Sequence, residues 1–338
     1  MLITDSKNKK LKVAVLTGGY SFERNVALAG AVNVAFALRS VGYQVTVIDT
    51  CSGVIPNKHE AKLFDIQRVL PELTQLIKYK KNNKLLSLLD KKLKTFDLIF
   101  PVMHGKGGED GILQAALSLV NVPYVGSDHA ASAVAMDKEW SKRLFATANI
   151  PTPAWWTWPI TQHELRTLKF PLIVKPAHEG STVGVTIVGS ESELESAINY
   201  ALGYDTVVII EALIEGREFT VGVLENSALA VGEILFETNL FDYNTKYVSG
   251  RAKEVFPAPI PKHLEKKIKM LAEKTHQLLK LKHFSRIDFR MSPDNKLYVL
   301  EANSIPGLTQ LSLLPQSALA AGYPFSEFCH RVCQLALD

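Results

Sequence analysis

The sequence predicts an α/β protein of two or three domains, in which a parallel, Rossmann-like sheet comes first and α+β segments follow. Three observations predict it. The chain has 338 residues, beyond the roughly 250 to 300 at which single cores stop growing. An apolar strand, Lys12 to Leu16, enters Gly18-Gly19 and a helical pattern with Val26, Val34, Leu38 and Val41, and a second strand, Tyr43 to Ile48, follows. That is a βαβ unit with a glycine turn at the start of its helix. From Leu172 onward, short apolar runs follow one another as strands do in mixed α+β domains.

Composition narrows the class. Hydrophobic residues make up 47% and charged residues 21%, as in ordinary globular proteins. Lys+Arg 38 against Asp+Glu 34 is too even to imply a nucleic-acid partner. The first twelve residues, at +3, and the stretch from Lys78 to Lys94, at +6, more than account for the net +4; the rest is mildly acidic at −5. The apolar run Leu313 to Ala321 is far short of the roughly 20 residues that cross a bilayer, and MLITDSKNKKLK lacks the apolar core of a secretory signal. Three cysteines suit a reducing compartment. The expectation is a cytoplasmic protein without membrane contact. Cys329 and Cys333 beside His330 suggest either a metal pair or, more plainly, small residues on an amphipathic helix.

The elements follow in order. After a lysine-rich, helical insert at about 55–95, a third strand, Leu98 to Met103, runs into HGKGGEDG. A helix from Gly111 to Leu119 and a strand from Pro123 to Val125 complete a domain of residues 1–127. Neither GxGxxG nor a P-loop occurs. A helix from Ser132 to Asn149 is stopped by Pro151 and Pro153. Strands Leu172 to Lys175, Gly184 to Val188 and Val207 to Glu211, with a loop at His178 to Thr182, fill a second domain, 128–214. The third, 215–338, holds strands Glu218 to Leu224 and Leu229 to Leu235. A polar excursion at 237–253, a helix from Pro261 to Leu281, a hairpin and a last helix follow. The tryptophans Trp155, Trp156 and Trp158 read as packing.

The hairpin from Ser285 to Asn303 carries the most chemistry. A four-residue turn, Ser292-Pro-Asp-Asn, sets Met291 against Lys296, Arg286 against Glu301 and Asp288 against Val299. Alternation then puts Arg286, Asp288, Glu301 and Asn303 on one face, with Ile287, Phe289, Tyr298 and Leu300 on the other. Two carboxylates and an amide suit Mg²⁺ shared with phosphates; a solvated face with an Arg286–Glu301 pair is the alternative. Lys138 and Lys175 read as surface lysines or, for Lys175 before the Gly180 loop, as a phosphate clamp. Glu211 and Glu218 bracket a connection that offers a backbone edge to adenine and a carboxylate to ribose, unless they are surface glutamates.

Taken together, GGYSFER (Gly18 to Arg24), MHGKGGEDG (Met103 to Gly111), AMDK (Ala135 to Lys138), KPAHEGSTVGV (Lys175 to Val185), DYNTKY (Asp242 to Tyr247), RIDF (Arg286 to Phe289) and LEANSIPGLTQLSLLP (Leu300 to Pro315) closely resemble the D-alanine–D-alanine ligase family of the ATP-grasp superfamily. The resemblance implies a three-domain ATP-grasp architecture. It also implies ATP-dependent formation of D-alanyl-D-alanine through a D-alanyl phosphate, for peptidoglycan synthesis, commonly by a homodimer. It places Asp288, Glu301 and Asn303 on two Mg²⁺ or Mn²⁺ ions, and Lys138, Lys175 and Lys246 on the ATP phosphates. Adenine would meet Glu211 and the backbone of Ala212, Leu213 and Ile214, with Glu218 on ribose. Glu23, Ser181 and Tyr247 would hold the first D-alanine, with His104 and Glu109 beside it. Arg286 and the Gly307 N–H would face the oxyanion, and Ser312 with the Leu313 N–H would take the second carboxylate. The excursion at 237–253 would be a lid over the acyl phosphate, and Tyr247 favours an amine as nucleophile.

Departures fall at Ala27 and Gly30, where serines are usual, and at Ile112 in place of threonine. The expectation is that lost hydroxyls loosen hydrogen bonding around Glu23.

Overall fold

The computed structural model describes residues 10–64, 66, 71–90, 92–236 and 252–338. Lys246, Tyr247 and nearly all of the expected lid lie outside them.

Three sheets are built in succession. In the first, β1 (Lys12–Thr17) lies between β2 (Gln44–Asp49) and β4 (Leu98–Val102), parallel to both, and β3 (Gly53–Ile55) adds antiparallel to β2. Leu98, Ile99, Phe100 and Val102 of β4 are wholly buried, as expected of a parallel strand covered on both faces. Helix α1 (Arg24–Ser40) connects β1 to β2 and is buried nearly all round, from Val26 to Leu38. Its cover includes the chain's own C-terminus: Phe328, Cys329, Val332 and Cys333 join Val34, Leu38 and Phe100 in one core. Gly18 takes φ +93°, and a Cβ there would stand 2.1 Å from Asp49 Oδ1. The turn admits no side chain because Asp49 is drawn in by the buried Arg24. The insert contributes α2 (Asn57–Glu60), α3 (Leu73–Lys81) and α4 (Leu85–Asp90), and α5 (Ile112–Val120) follows β4. Pro123 to Val125 forms a single bridge, Ile99 to Tyr124, rather than a strand.

The expected helix from Ser132 to Asn149 is two helices. α6 (His129–Met136) ends at Asp137, whose extended backbone starts α7 (Lys138–Thr147) and whose carboxylate accepts from the Glu139 and Trp140 N–H groups. The aspartate prefers the cap to a helix interior. Both helices feed Ala131, Ala135 and Phe145 into the core of the third sheet.

The second sheet has the order β5 (Trp155–Trp158), β8 (Val208–Ala212), β6 (Leu172–Pro176), β7 (Thr186–Val188), all antiparallel. The tryptophan run is thus its edge strand, with Trp156 packed on the sheet's core. The seventh strand begins at Thr186, not Gly184, because Gly184 sits at φ +71°. α8 (Gln162–Thr167) and α9 (Glu191–Leu202) complete this unit.

The third sheet runs β11 (Ala252–Val255), β10 (Ser227–Phe236), β9 (Arg217–Leu224), β12 (Phe284–Met291), β13 (Leu297–Asn303), also antiparallel. Helices α10 (Lys262–Leu278), α11 (Leu313–Ala320) and α12 (Phe325–Leu337) flank it.

The hairpin register differs from expectation. Asn295 takes φ +60° and the Ser292 N–H bonds the Lys296 carbonyl at 3.0 Å, so Met291 pairs with Leu297 across a longer turn. Continued one for one, this pairing would set Glu301 against Ile287, facing the core. A bulge between Val299 and Glu301 restores the phase: Phe289 pairs with Val299, Asp288 with Glu301 and Arg286 with Asn303. Leu297, Val299 and Ala302 share the buried face with Ile287 and Phe289; Tyr298 and Leu300 do not.

Candidate active site

Two clefts meet at a common wall. The first, about 1100 Å³, lies between the start of α1, the loop after β4 and the segment from Asn303 to Leu313; Glu23, His104, Glu109, Arg286, Gly307 and Ser312 line it. The second, about 1140 Å³, opens between the second and third sheets, among Ile173, Lys175, Val185, Ile187, Leu213 and Leu300. Lys138, Gly180, Ser181 and Glu301 border both.

The second cleft is apolar between the sheets and charged at one end. Lys175 Nζ stands 3.1 Å from Glu211 Oε1, and Lys142 Nζ 2.6 Å from Glu211 Oε2, inside the protein. Burial pushes the Glu211 carboxyl up, but the two lysines outweigh it and leave the group below the usual range. Burial also brings Lys142 down to about 8. Lys138 Nζ donates to the Glu179 carbonyl at 2.7 Å and lies 3.2 Å from Glu301 Oε2. Glu218 pairs with Arg290 at 3.4 Å on the cleft floor.

On the third sheet, three side chains among the described residues hold Asp288. Thr220 Oγ1 donates to Oδ1 at 2.7 Å, Arg286 Nε to Oδ1 at 3.0 Å, Arg286 Nη2 to Oδ2 at 2.8 Å and Asn303 Nδ2 to Oδ2 at 3.1 Å. Asn303 thus spends its NH₂ on Asp288, and its oxygen remains a donor for a cation. With Glu301 directly opposite Asp288, the set offers two carboxylates and an amide. These hard oxygens fit Mg²⁺ or Mn²⁺, which keep positions for water and phosphate.

In the first cleft, Ser181 Oγ donates to Glu23 Oε1 at 2.5 Å. His104 is buried and pushed below its usual range by that burial. Its Nδ1 meets the Ile305 carbonyl at 2.8 Å; a carbonyl only accepts, so Nδ1 carries the proton and Nε2 presents a lone pair. Among the described residues, that Nε2 has no hydrogen-bond partner. Burial and the Glu23 charge push Glu109 up to about 8, while its two oxygens accept from the Gly105 and Ile305 N–H groups. Ser312 stands at the N-cap position of α11, but its side chain makes no capping bond; its hydroxyl instead accepts from the Thr309 N–H at 3.1 Å, and a Cβ on Gly307 would approach it to 2.6 Å.

The sequence-named residues within the described segments thus gather at these clefts, with Ala212 on the strand end beside Glu211. None of the three departures lines either cleft. Ala27 is fully buried, Gly30 lets α1 approach Val102 and the Leu308 backbone, and Ile112 is 59% exposed, outside both clefts. Lys142 and Thr220 were not anticipated. Lys142 lies four residues after Lys138 and Thr220 two after Glu218, on the same helix and strand faces.

A parallel-sheet unit followed by two antiparallel sheets that hold lysines and a carboxylate hairpin over one cleft defines an ATP-grasp ligase. Family models described as "D-ala D-ala ligase N-terminus" and "D-ala D-ala ligase C-terminus" match residues 12–127 and 146–334. The D-alanine–D-alanine ligase of Aquifex aeolicus is 37% identical over 319 residues, 94% of this chain and 98% of that one. The VanG D-Ala:D-Ser ligase of Enterococcus faecalis superposes with a TM-score of 0.80 at 31% identity, covering 97% of this chain and all of that one. An ATP complex of the Bacillus anthracis D-alanine–D-alanine ligase gives 0.75 at 29% identity, covering 98% of each chain. The chain belongs to the D-alanine–D-alanine ligase family.

Proposed function

We propose that this chain joins two molecules of D-alanine at the expense of ATP, forming D-alanyl-D-alanine, ADP and phosphate for peptidoglycan precursors. The observation that carries this is the common wall: Lys138, Gly180, Ser181 and Glu301 stand where a nucleotide's terminal phosphate in one cleft would meet a carboxylate in the other.

In this reading adenine slides between Ile173, Ile187 and Leu300, with Glu211 and the backbone of Ala212 to Ile214 at its edge and Glu218 on ribose. Lys138 and Lys175 neutralise the phosphates, joined by Lys246. Glu23, oriented by Ser181 and joined by Tyr247, takes the first D-alanine's ammonium, and the His104 lone pair and neutral Glu109 lie beside it. The D-alanine carboxylate attacks the γ-phosphorus and ADP leaves. The second amine then attacks the acyl carbon, and the developing oxyanion meets Arg286 and the Gly307 N–H. The phosphate departs as the amide forms. Ser312 and the Leu313 N–H, at the positive end of α11, hold the second carboxylate. Asp288, Glu301 and Asn303 would hold Mg²⁺ or Mn²⁺, which when bound offsets the charge on the phosphates. The lid at 237–253 would keep water from the acyl phosphate. We place the domain limits at 127 and 214, and the enzyme in the cytoplasm as a homodimer.

The test is ATP-dependent phosphate release with D-alanine, D-serine, L-alanine and D-lactate, with products identified by mass. D-Alanine alone should yield D-alanyl-D-alanine; its absence would sink the reading. The likeness to a D-Ala:D-Ser ligase favours D-serine as the second acceptor to try, and a mixed dipeptide formed in preference would shift the assignment to that activity.

A further inference from the structure

The loop from His178 to Thr182 carries two consecutive non-glycine residues in the left-handed region, Ser181 at φ +50° and Thr182 at φ +64°. Such strain persists only where the surroundings over-determine it. Among the described residues, the contacts that hold this loop from its own side include Lys138 on the Glu179 carbonyl, Asp205 on the His178 backbone N–H at 2.8 Å, and Asp137 and Asp205 on the two ring nitrogens of His178 at 3.0 and 2.8 Å. Two come across from the N-terminal unit. One is Glu23 on Ser181. The other is Lys106, on the loop after β4, whose Nζ lies 2.7 Å from Glu179 Oε1 and donates to the Tyr204 carbonyl at 2.8 Å.

Glu179 is the unexpected member. It is a carboxylate on the wall of the nucleotide cleft, its side chain only 11% exposed, with the charges of Asp205 and Glu23 near it. An anion there opposes a triphosphate unless it is neutralised, and Lys106 is the side chain that pairs with it. We infer that Lys106 is a positioning residue for ATP: it cancels the Glu179 charge and ties the glycine loop to the unit that holds the first amino acid. The inference rests on the proposed nucleotide site. A fully exposed pair would add little to stability, whereas a mostly buried carboxylate such as Glu179, stripped of its partner, is costly beside another anion.

The test compares the full-length enzyme with Lys106→Met, Lys106→Arg and Lys106→Met combined with Glu179→Gln, measuring KM for ATP, kcat and nucleotide affinity. Lys106→Met should raise KM for ATP about tenfold with kcat at saturation changed less than about twofold. Lys106→Arg should stay close to wild type. Glu179→Gln should return the Lys106→Met variant to within about threefold of wild type, a rescue that a purely packing role would not show. An unchanged KM in Lys106→Met, or a raised KM that Glu179→Gln leaves in place, overturns the inference. The Lys106→Arg variant keeps the test open should Lys106→Met not fold: a tenfold rise in KM there would also overturn it. A wild-type enzyme that neither binds ATP nor forms the dipeptide overturns the proposed function and this inference with it.

Discussion

Single side chains set the chemistry through the partners they find. Asp288 and Glu301 face each other across two strands, and Glu301 alone touches Lys138, which borders both clefts. Glu301→Ala should therefore lower kcat by at least about 10³-fold, with nucleotide affinity falling less, because the lost oxygen serves the phosphoryl transfer. Near-normal kcat would remove Glu301 from the reaction. Lys142 shows the structural counterpart. It and Glu211 are 0% and 1% exposed, so Lys142→Met leaves a buried carboxylate with Lys175 only and should cost about 3 to 5 kcal/mol. A urea midpoint equal to wild type would contradict that. Lys142 pairs with Glu211 from 69 positions away in the chain, and a partner at that distance leaves no mark on local spacing.

At the scale of elements, turns and caps do the positioning. The α11 start sits against Gly307 because no Cβ intervenes. Gly307→Ala would press on the Ser312 hydroxyl, and KM for the second D-alanine should rise about tenfold with little change for ATP. An equal rise for both substrates would place the damage elsewhere. The hairpin makes a related point. Its polar face was legible from the alternation Arg286, Asp288 and Glu301, Asn303, but the reason given by a four-residue turn was wrong. A longer turn and a compensating bulge produce the same face, because an odd slip turns every side chain over and a second slip turns them back. Asp137 breaks what reads as one helix for a similarly local reason, the hydrogen bonds of a cap.

Over the whole molecule, charge ties the units together. His178 joins the glycine loop to Asp137 at the start of α7 and to Asp205 before β8. Its hydrogen bonds to Asp137 and Asp205 raise its pKa to about 9 from 6.5. The stabilisation is thus fully present below about pH 6.5 and is lost as pH climbs through about 9. Wild type should lose stability relative to His178→Gln over that interval, as read from urea midpoints at pH 6 and 9.5. Taking the difference between the two proteins removes the contributions of Lys142 and Glu109, which also titrate near 8. A difference that stays flat with pH would show that His178 is not charged in the folded protein.

The chain's local order determined the class of fold, the βαβ start, the strand periods and the motifs that mark the family, because each is written in residues close in sequence. Tertiary structure alone decided which groups meet. Glu23 finds Ser181 across 158 positions, and His104 finds Ile305 across 201. The C-terminal helix closes over α1, and the departures at Ala27, Gly30 and Ile112 turn out to lie in packing or solvent. Such pairings are settled by burial and charge between distant segments, and periodicity carries no record of them.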